Sequence, residues 1–136
     1  MRSMGLALAL LLSSCVSSGV VRTPPPAAAA RVASLVGDDV LLAVWDGSFS
    51  QDGSRVVVLT DAAVTLHDDG STHRLGLDGI DSIAVDQDAG GVVVRAGKTV
   101  LVLPIDTDDR LAFADLLRRA VQDRKLAGAA PTSTAP

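Results

Sequence analysis

Short apolar runs separated by turn residues dominate the chain between about residue 31 and residue 126. The runs are rich in valine, and β-branched residues favour extended strands. Asp-Gly pairs, which suit tight hairpin turns, recur among them at 46–47, 52–53, 69–70 and 78–79. The pattern predicts seven strands, near residues 40–45, 55–60, 63–67, 72–75, 82–85, 91–95 and 99–105.

One amphipathic helix is predicted after the last strand, over about residues 107–125. Its apolar positions fall on a single face: Phe113, Leu116, Leu117, Ala120 and Val121. On the opposite face, Asp115 and Arg119 have the spacing of a helical ion pair. Seven short strands and one helix predict a mainly β domain over residues 31–126, built as a sandwich or small barrel.

Two stretches of this domain carry a family resemblance. Residues 55–85, "RVVVLTDAAVTLHDDGSTHRLGLDGIDSIAV", contain a hairpin, a Thr-Asp turn and an L-x-x-I-x-S-I strand. Residues 90–121, "GGVVVRAGKTVLVLPIDTDDRLAFADLLRRAV", contain a closing hairpin and a helix. Together they resemble the pleckstrin-homology (PH) superfold, especially its bacterial PH and GRAM-like branches. The resemblance implies a seven-stranded bent barrel or sandwich that is capped by the C-terminal helix.

A second β arrangement is compatible with part of the pattern. Residues 50–67 align with residues 86–103, and the first of these segments also resembles the D-G-x-x-V-V hairpins of β-propeller blades. Two such units cannot close a propeller ring, and a blade has no place for the helix. The PH-like arrangement is therefore preferred over the alternative.

The first fifteen residues, "MRSMGLALALLLSSC", form a different kind of region. A positive charge at Arg2, an apolar run and small residues are typical of a secretory signal peptide, here residues 1–14. "LSSC", residues 12–15, resembles the bacterial lipobox, and Cys15 is the only cysteine in the chain. The resemblance implies cleavage between Ser14 and Cys15 and attachment of lipid to Cys15. Because several acyl chains anchor stably, the sequence predicts an exported lipoprotein held in a bacterial cell membrane or outer membrane.

The segment after the cysteine contains serine, glycine, three prolines and an alanine run. This composition predicts that residues 15–30 are a lipidated cysteine and a flexible linker, reaching up to roughly 45 Å at about 3 Å per residue. Residues 127–136 are predicted to be disordered. Val16 follows the cysteine where inner-membrane retention signals carry Asp, which favours the outer membrane in a cell with two membranes.

Charge excludes several partners. The chain has 12 Lys and Arg against 16 acidic residues, all of them Asp, for a net charge of −4. Nucleic acids and anionic lipid surfaces require concentrated basic residues, so neither is an expected partner. The loop between the first two strands, residues 46–55, carries Asp46 and Asp52 with Arg55 at its edge. Phosphoinositide recognition, which the PH resemblance would otherwise imply, is therefore not expected.

Candidate catalytic and metal-binding residues are few. His67 and His73 flank an acidic turn and have side chains that can ligate zinc, but a polar hairpin tip with two exposed histidines is the preferred interpretation. Residues 86–97 resemble a calcium loop but have Gly90 and Gly97 at ligand positions. No serine lies on a G-x-S-x-G elbow. We therefore predict no enzyme activity, no catalytic residue, no cofactor and no metal.

Two functions remain open. The first is a non-enzymatic protein-interaction module that binds a partner, or itself, through exposed sheet, because the valine runs exceed strict alternation. The second is a module for a small ligand, an envelope lipid or a metal, with a pocket beside the only aromatic residues, Trp45, Phe49 and Phe113. A large exposed apolar surface would favour the first, and a closed cavity the second. The interaction module is preferred.

Overall fold

The computed structural model describes residues 19–48 and 52–129. Within these residues the chain forms eight strands and two α-helices, whose bounds are β1 Val20–Val21, α1 Ala29–Val36, β2 Leu41–Asp46, β3 Arg55–Thr60, β4 Ala63–Asp68, β5 Ser71–Gly76, β6 Ser82–Asp86, β7 Gly91–Ala96, β8 Thr99–Leu103 and α2 Thr107–Ala129. A short 3-10 helix, Leu77–Gly79, connects β5 to β6. The prediction of a mainly β domain with one C-terminal helix is confirmed.

The strands form two antiparallel sheets. The first has the order β1-β2-β3-β4-β5, and the second has the order β6-β7-β8. The chain passes from one sheet to the other at the 3-10 helix, where Leu77 and Ile80 are buried. No strand pairing joins the two sheets in the described part of the chain, so the predicted bent barrel is corrected to two separate sheets.

The seven predicted strands are all present as β2 to β8, with ends that differ by at most two residues. The β4–β5 hairpin shows why the turn pattern was informative. Asp68 pairs with Ser71, and the two residues between them, Asp69 and Gly70, have φ angles of 47° and 87°. Positive φ at both positions is what an Asp-Gly hairpin turn requires.

Strand β1 lies inside the segment that was predicted to be a flexible linker. Val20 pairs with Trp45 and Val21 with Val44, so β1 adds a short edge strand to the first sheet beside β2. The sequence pattern did not reveal this strand because only two residues take part in it.

Helix α1 begins at the end of the same segment. The three prolines precede it, and the Ala28 N–H donates to the Pro25 carbonyl at 2.9 Å. Helix α1 ends before Gly37, whose φ is 58° and whose N–H donates to the Ala33 carbonyl at 3.1 Å. Proline before a helix and glycine after it are ordinary boundary signals. The predicted linker therefore contains one strand and the start of one helix.

The apolar residues form two buried clusters, one on each face of the first sheet. The main cluster lies between the two sheets and α2, and it contains Phe113 and Leu117. The smaller cluster packs α1 onto the other face of the first sheet: Ala28, Val32, Val44, Val56 and Val58. Because alternate residues of a strand point to opposite faces, β3 contributes to both clusters and is buried on both sides.

Helix α2 has the amphipathic face that was predicted, since Phe113, Leu117 and Val121 are buried. Asp115 and Arg119 form the predicted ion pair. The helix continues to Ala129, beyond the predicted end at residue 125.

Candidate functional site

A groove of about 550 Å³ lies between the C-terminal half of α2 and the chain that leads into β6. It is open to solvent, and apolar side chains form most of its walls. Its lining residues are Ile80, Asp81, Ser82, Ile83, Arg118, Val121, Gln122, Lys125 and Leu126.

The helical wall of the groove follows from residue spacing. Arg118, Val121, Gln122 and Lys125 are three or four residues apart, so they lie on one side of α2. Val121 is buried at the floor, whereas the Leu126 side chain at the rim is 61% exposed. The groove therefore has an apolar floor and a solvent-exposed apolar edge.

Two cations lie along the groove. Arg118 Nη2 donates to the Ile83 carbonyl at 3.2 Å, and Lys125 Nζ donates to the Ile80 carbonyl at 3.2 Å. The one acidic lining residue, Asp81, accepts a hydrogen bond from the Gly97 N–H at 2.7 Å. A protein with a net charge of −4 thus has a groove in which cations outnumber acidic groups.

The outer edge of β6 borders the same groove. In the described chain β6 pairs only with β7. The Ile83 carbonyl contacts Arg118 of α2, so the backbone groups of Ile83 point away from β7. Backbone groups two residues apart in a strand point the same way, so those of Val85 do too. Among the described residues, this edge of β6 has no strand partner, and its Ile83 carbonyl is bonded to Arg118 beside the apolar groove.

His67 does not lie at the exposed hairpin tip that the sequence predicted. Its side chain is buried, with Nε2 at 2.9 Å from Arg31 Nη1 and Nδ1 at 2.8 Å from Thr72 Oγ1. A guanidinium can only donate, so Nε2 accepts and Nδ1 carries the proton. This contact links α1 to β4 and β5, and we assign it a structural role.

His73 is exposed, as predicted, and lies on the opposite face of β5 from Thr72. The two histidines therefore do not form one site. Within residues 19–48 and 52–129, no group of three or more His, Cys, Asp or Glu side chains is positioned to hold a metal ion.

The two aromatic residues that the structure describes do not line the groove. Trp45 and Phe113 are both buried in the main cluster, and neither lines the groove. Phe49 lies outside the described residues. The two described aromatics therefore fill core, which removes the main sequence argument for a ligand pocket at these positions.

The loop between β2 and β3 is held by its own acidic residue. The Asp46 carboxylate accepts hydrogen bonds from the Ser48 N–H at 2.9 Å and the Gly53 N–H at 3.1 Å. Arg55, the basic residue at the edge of this loop, pairs with Asp68 at 3.3 Å. The described part of the loop presents no basic cluster for an anionic headgroup.

The predicted lipid attachment and cleavage residues, Cys15 and Ser14, lie outside the described residues. In the part of the chain that the structure covers, no helix has both the length and the apolar character needed to cross a membrane. Comparisons with protein-family models, with curated proteins and with solved structures give no significant match. The groove is therefore interpreted from its geometry alone.

The sequence did not reveal the groove. Val121 was predicted as core, and it is buried at the floor of the groove. The groove exists only because residues 80–83 and 118–126 meet in space. The regular spacing of Arg118, Val121 and Lys125 was its one local signal.

Proposed function

We propose that this protein is a bacterial lipoprotein, anchored through Cys15, whose β domain is a non-enzymatic protein-interaction module in the cell envelope. The lipobox-like residues 12–15 support the anchor. The open groove between α2 and β6 is the observation that carries the interaction role.

We also propose a PH-like architecture for the domain. Four consecutive antiparallel strands, β2 to β5, are followed by a three-stranded sheet and a C-terminal helix. This order is the support for the resemblance. Fold alone does not assign an activity, so the function is argued from the groove.

The proposed occupant of the groove is an extended segment of an envelope protein that carries apolar side chains and a carboxylate. An extended backbone can pair with the outer edge of β6, as in other cases of strand addition, once Arg118 releases the Ile83 carbonyl. The apolar floor at Ile80, Ile83 and Val121 accommodates side chains from such a segment. Arg118 and Lys125 complement a carboxylate by charge.

A small apolar ligand or envelope lipid is the second candidate occupant. The groove volume falls within the range of ordinary ligand sites, about 300–1,000 Å³. Such sites bury most of their ligand, however, and this groove is open along its length. The extended protein segment is therefore preferred, and the small ligand is an outcome of the test.

The anchor is tested by replacing Cys15 with serine. In cells labelled with radioactive palmitate, we expect the native protein to carry label and to sediment with membranes. C15S is expected to lose the label and either to remain uncleaved or to leave the membrane fraction. An unlabelled C15S protein that is fully processed and still membrane-bound would contradict the anchor.

The groove is tested with a displayed library of random peptides, selected on the native protein and then measured against variants. The exposed leucines of α2 provide a matched pair, because Leu126 lines the groove and Leu111, 71% exposed, does not. Arg118 and Arg119 provide a second pair, since only Arg118 lines the groove.

We expect the selected peptides to be extended, apolar and acidic. L126D and R118E should each weaken their binding at least tenfold, a loss of about 1.4 kcal/mol. L111D and R119E should leave it within twofold. Equal losses in both members of a pair would contradict docking in the groove. Displacement of a fluorescent fatty acid by envelope lipids, without peptide selection, would favour the second candidate.

A further inference from the structure

Gly19, the first residue that the structure describes, is held against the start of α2. The Gly19 N–H donates to Asp109 Oδ1 at 3.1 Å, and the Asp109 side chain is buried. A Cβ placed on Gly19 would lie only 2.8 Å from Asp109 Oδ2 and 3.5 Å from the Trp45 ring. Gly19 therefore fits closely between these two side chains, and a larger residue would displace one of them.

Further contacts continue this attachment along the chain. Val20 and Val21 pair with β2 at Trp45 and Val44. Arg22 Nη2 then donates to the Leu41 carbonyl at 3.2 Å. Four consecutive residues thus hold the N-terminal segment along the edge of the first sheet.

Gly19 is the fourth residue after Cys15. An extended chain spans at most about 3.6 Å per residue, so these two residues are no more than about 14 Å apart. We propose that the bilayer faces the end of the domain formed by Gly19, Trp45 and the start of α2. This inference rests on the proposed lipid attachment at Cys15, and it replaces a long flexible linker by a short one.

The proposed orientation separates the anchor from the groove. An α-helix rises about 1.5 Å per residue, so Gln122 in the groove lies about 20 Å along α2 from Asp109. The anchored end presents Asp106 and Asp108, which are not attracted to anionic lipid. The short covalent connection, and not affinity for headgroups, places this end at the bilayer.

The test uses two fluorescent labels on the full-length acylated protein. The lipid blocks the thiol of Cys15, so a new cysteine is the single labelling site. Leu111→Cys and Leu126→Cys place labels at exposed positions near the two ends of α2, about 22 Å apart along its axis. The protein is reconstituted in phosphatidylethanolamine and phosphatidylglycerol vesicles that carry an energy-transfer acceptor on a fraction of the headgroups.

We expect stronger energy transfer from the Leu111→Cys label than from the Leu126→Cys label. A Gly/Ser insert of about fifteen residues after Ser17, whose mean span is about 20 Å, should reduce transfer from the first label at least twofold. Asp109→Ala should reduce transfer from the Leu111→Cys label by less than the insert does, because this substitution loosens only the attachment of Gly19. The same insert added after Pro136 is the control and should change nothing.

Equal transfer from the two labels, or no response of the first label to the Gly/Ser insert, would overturn the orientation. Mass spectrometry of the N-terminal peptide separates this failure from failure of the proposed function. An acylated Cys15 with a distant Leu111→Cys label contradicts the orientation alone. A membrane-bound protein without acyl groups on Cys15 contradicts both.

Discussion

The two sheets contain similar apolar strands but differ in how their outer faces are covered. In the first sheet, "VVVL" at residues 56–59 is fully buried, because α1 packs on one face and the main cluster on the other. In the second sheet, "VLVL" at residues 100–103 is buried only at its two leucines. Val100 on the outer face is 49% exposed.

A strand can therefore contain more apolar residues than strict alternation requires for more than one reason. Both strands exceed strict alternation, and from the sequence alone this excess predicts an exposed interaction surface on each. Helix α1 accounts for the first strand as ordinary core. The argument for an interaction surface therefore remains only for the second sheet, whose outer face carries the exposed Ala84 and Val100 and the half-buried Val102.

The edges of the two sheets also differ in how well they suit a partner. The edge strand β5 of the first sheet is mostly exposed and polar, with Ser71, Thr72, His73 and Arg74. Polar edge strands discourage pairing with other chains. The edge strand β6 instead adjoins the apolar groove, so the second sheet has the edge that favours a partner.

The largest expected effect of a substitution lies in the second sheet, at Gly91. A Cβ at this position would overlap the backbone carbonyl oxygen of Leu103, and backbone atoms cannot move aside cheaply. G91A should lower the free energy of unfolding by more than about 4 kcal/mol, or prevent folding. G76A is the control, since no heavy atom lies within 4 Å of its added Cβ, and it should change stability by less than about 1 kcal/mol. Urea denaturation measures both, and equal effects would contradict the close packing of β7 on β8.

The next effect concerns the helix that covers the inner face of both sheets. L117A should lower the free energy of unfolding by about 2–5 kcal/mol, because it leaves a cavity in the main cluster. F113A should fall in the same range or slightly above it. The control is L111A on the exposed side of the same helix, with an expected change below about 0.5 kcal/mol. A change below that limit for L117A would mean that α2 does not pack on the sheets.

A valine pair tests the difference between the two outer faces directly. Val32 of α1 is buried against the first sheet, whereas Val100 lies on the open face of the second. V32A should cost about 1.5–3 kcal/mol, because it removes buried methyl groups and leaves a small cavity. V100A should cost less than about 0.5 kcal/mol. Similar values for the two variants, measured by urea denaturation, would remove the distinction between a covered and an open face.

The smallest effect is expected from the polar contact that holds α1. R31A removes the donor to His67 Nε2 and should lower the free energy of unfolding by about 1 kcal/mol. R95A, on the open face of the second sheet, should be nearly neutral. The imidazole resonances of His67 provide a second readout by NMR, and we expect them to shift in R31A but not in R95A. Unchanged His67 resonances in R31A would contradict the contact.

Most of the fold was predictable because its signals are local. Valine runs between Asp-Gly turns fix strands β2 to β8, and the periodicity from Phe113 to Val121 fixes α2. Helix α1 was not predicted: its first two residues fall in the predicted linker, and the face shared by Val32, Leu35 and Val36 covers too few residues to show a helical period. Strand β1 was not predicted because two residues carry no periodicity.

The groove was less predictable than the fold. It depends on contact between residues 80–83 and α2, which no local pattern encodes. The burial of His67 was likewise missed, because it depends on Arg31 from a helix that the pattern did not predict. Cys15, in contrast, is recognisable only from its sequence context and stays a prediction.

Photo-crosslinking in intact cell envelopes tests the groove as a docking surface most directly. A photoreactive residue replaces Gln122 in the groove or, as the control, Ser71 on the polar edge of the first sheet; both positions are exposed. We predict that the photoreactive residue at Gln122 yields one discrete crosslinked protein. L126D should abolish this crosslink, whereas L111D should not. The crosslinked peptide of the partner should be extended, apolar and acidic. Crosslinks of equal yield from Ser71, or a Gln122 crosslink that persists in L126D, would contradict the assignment of the groove.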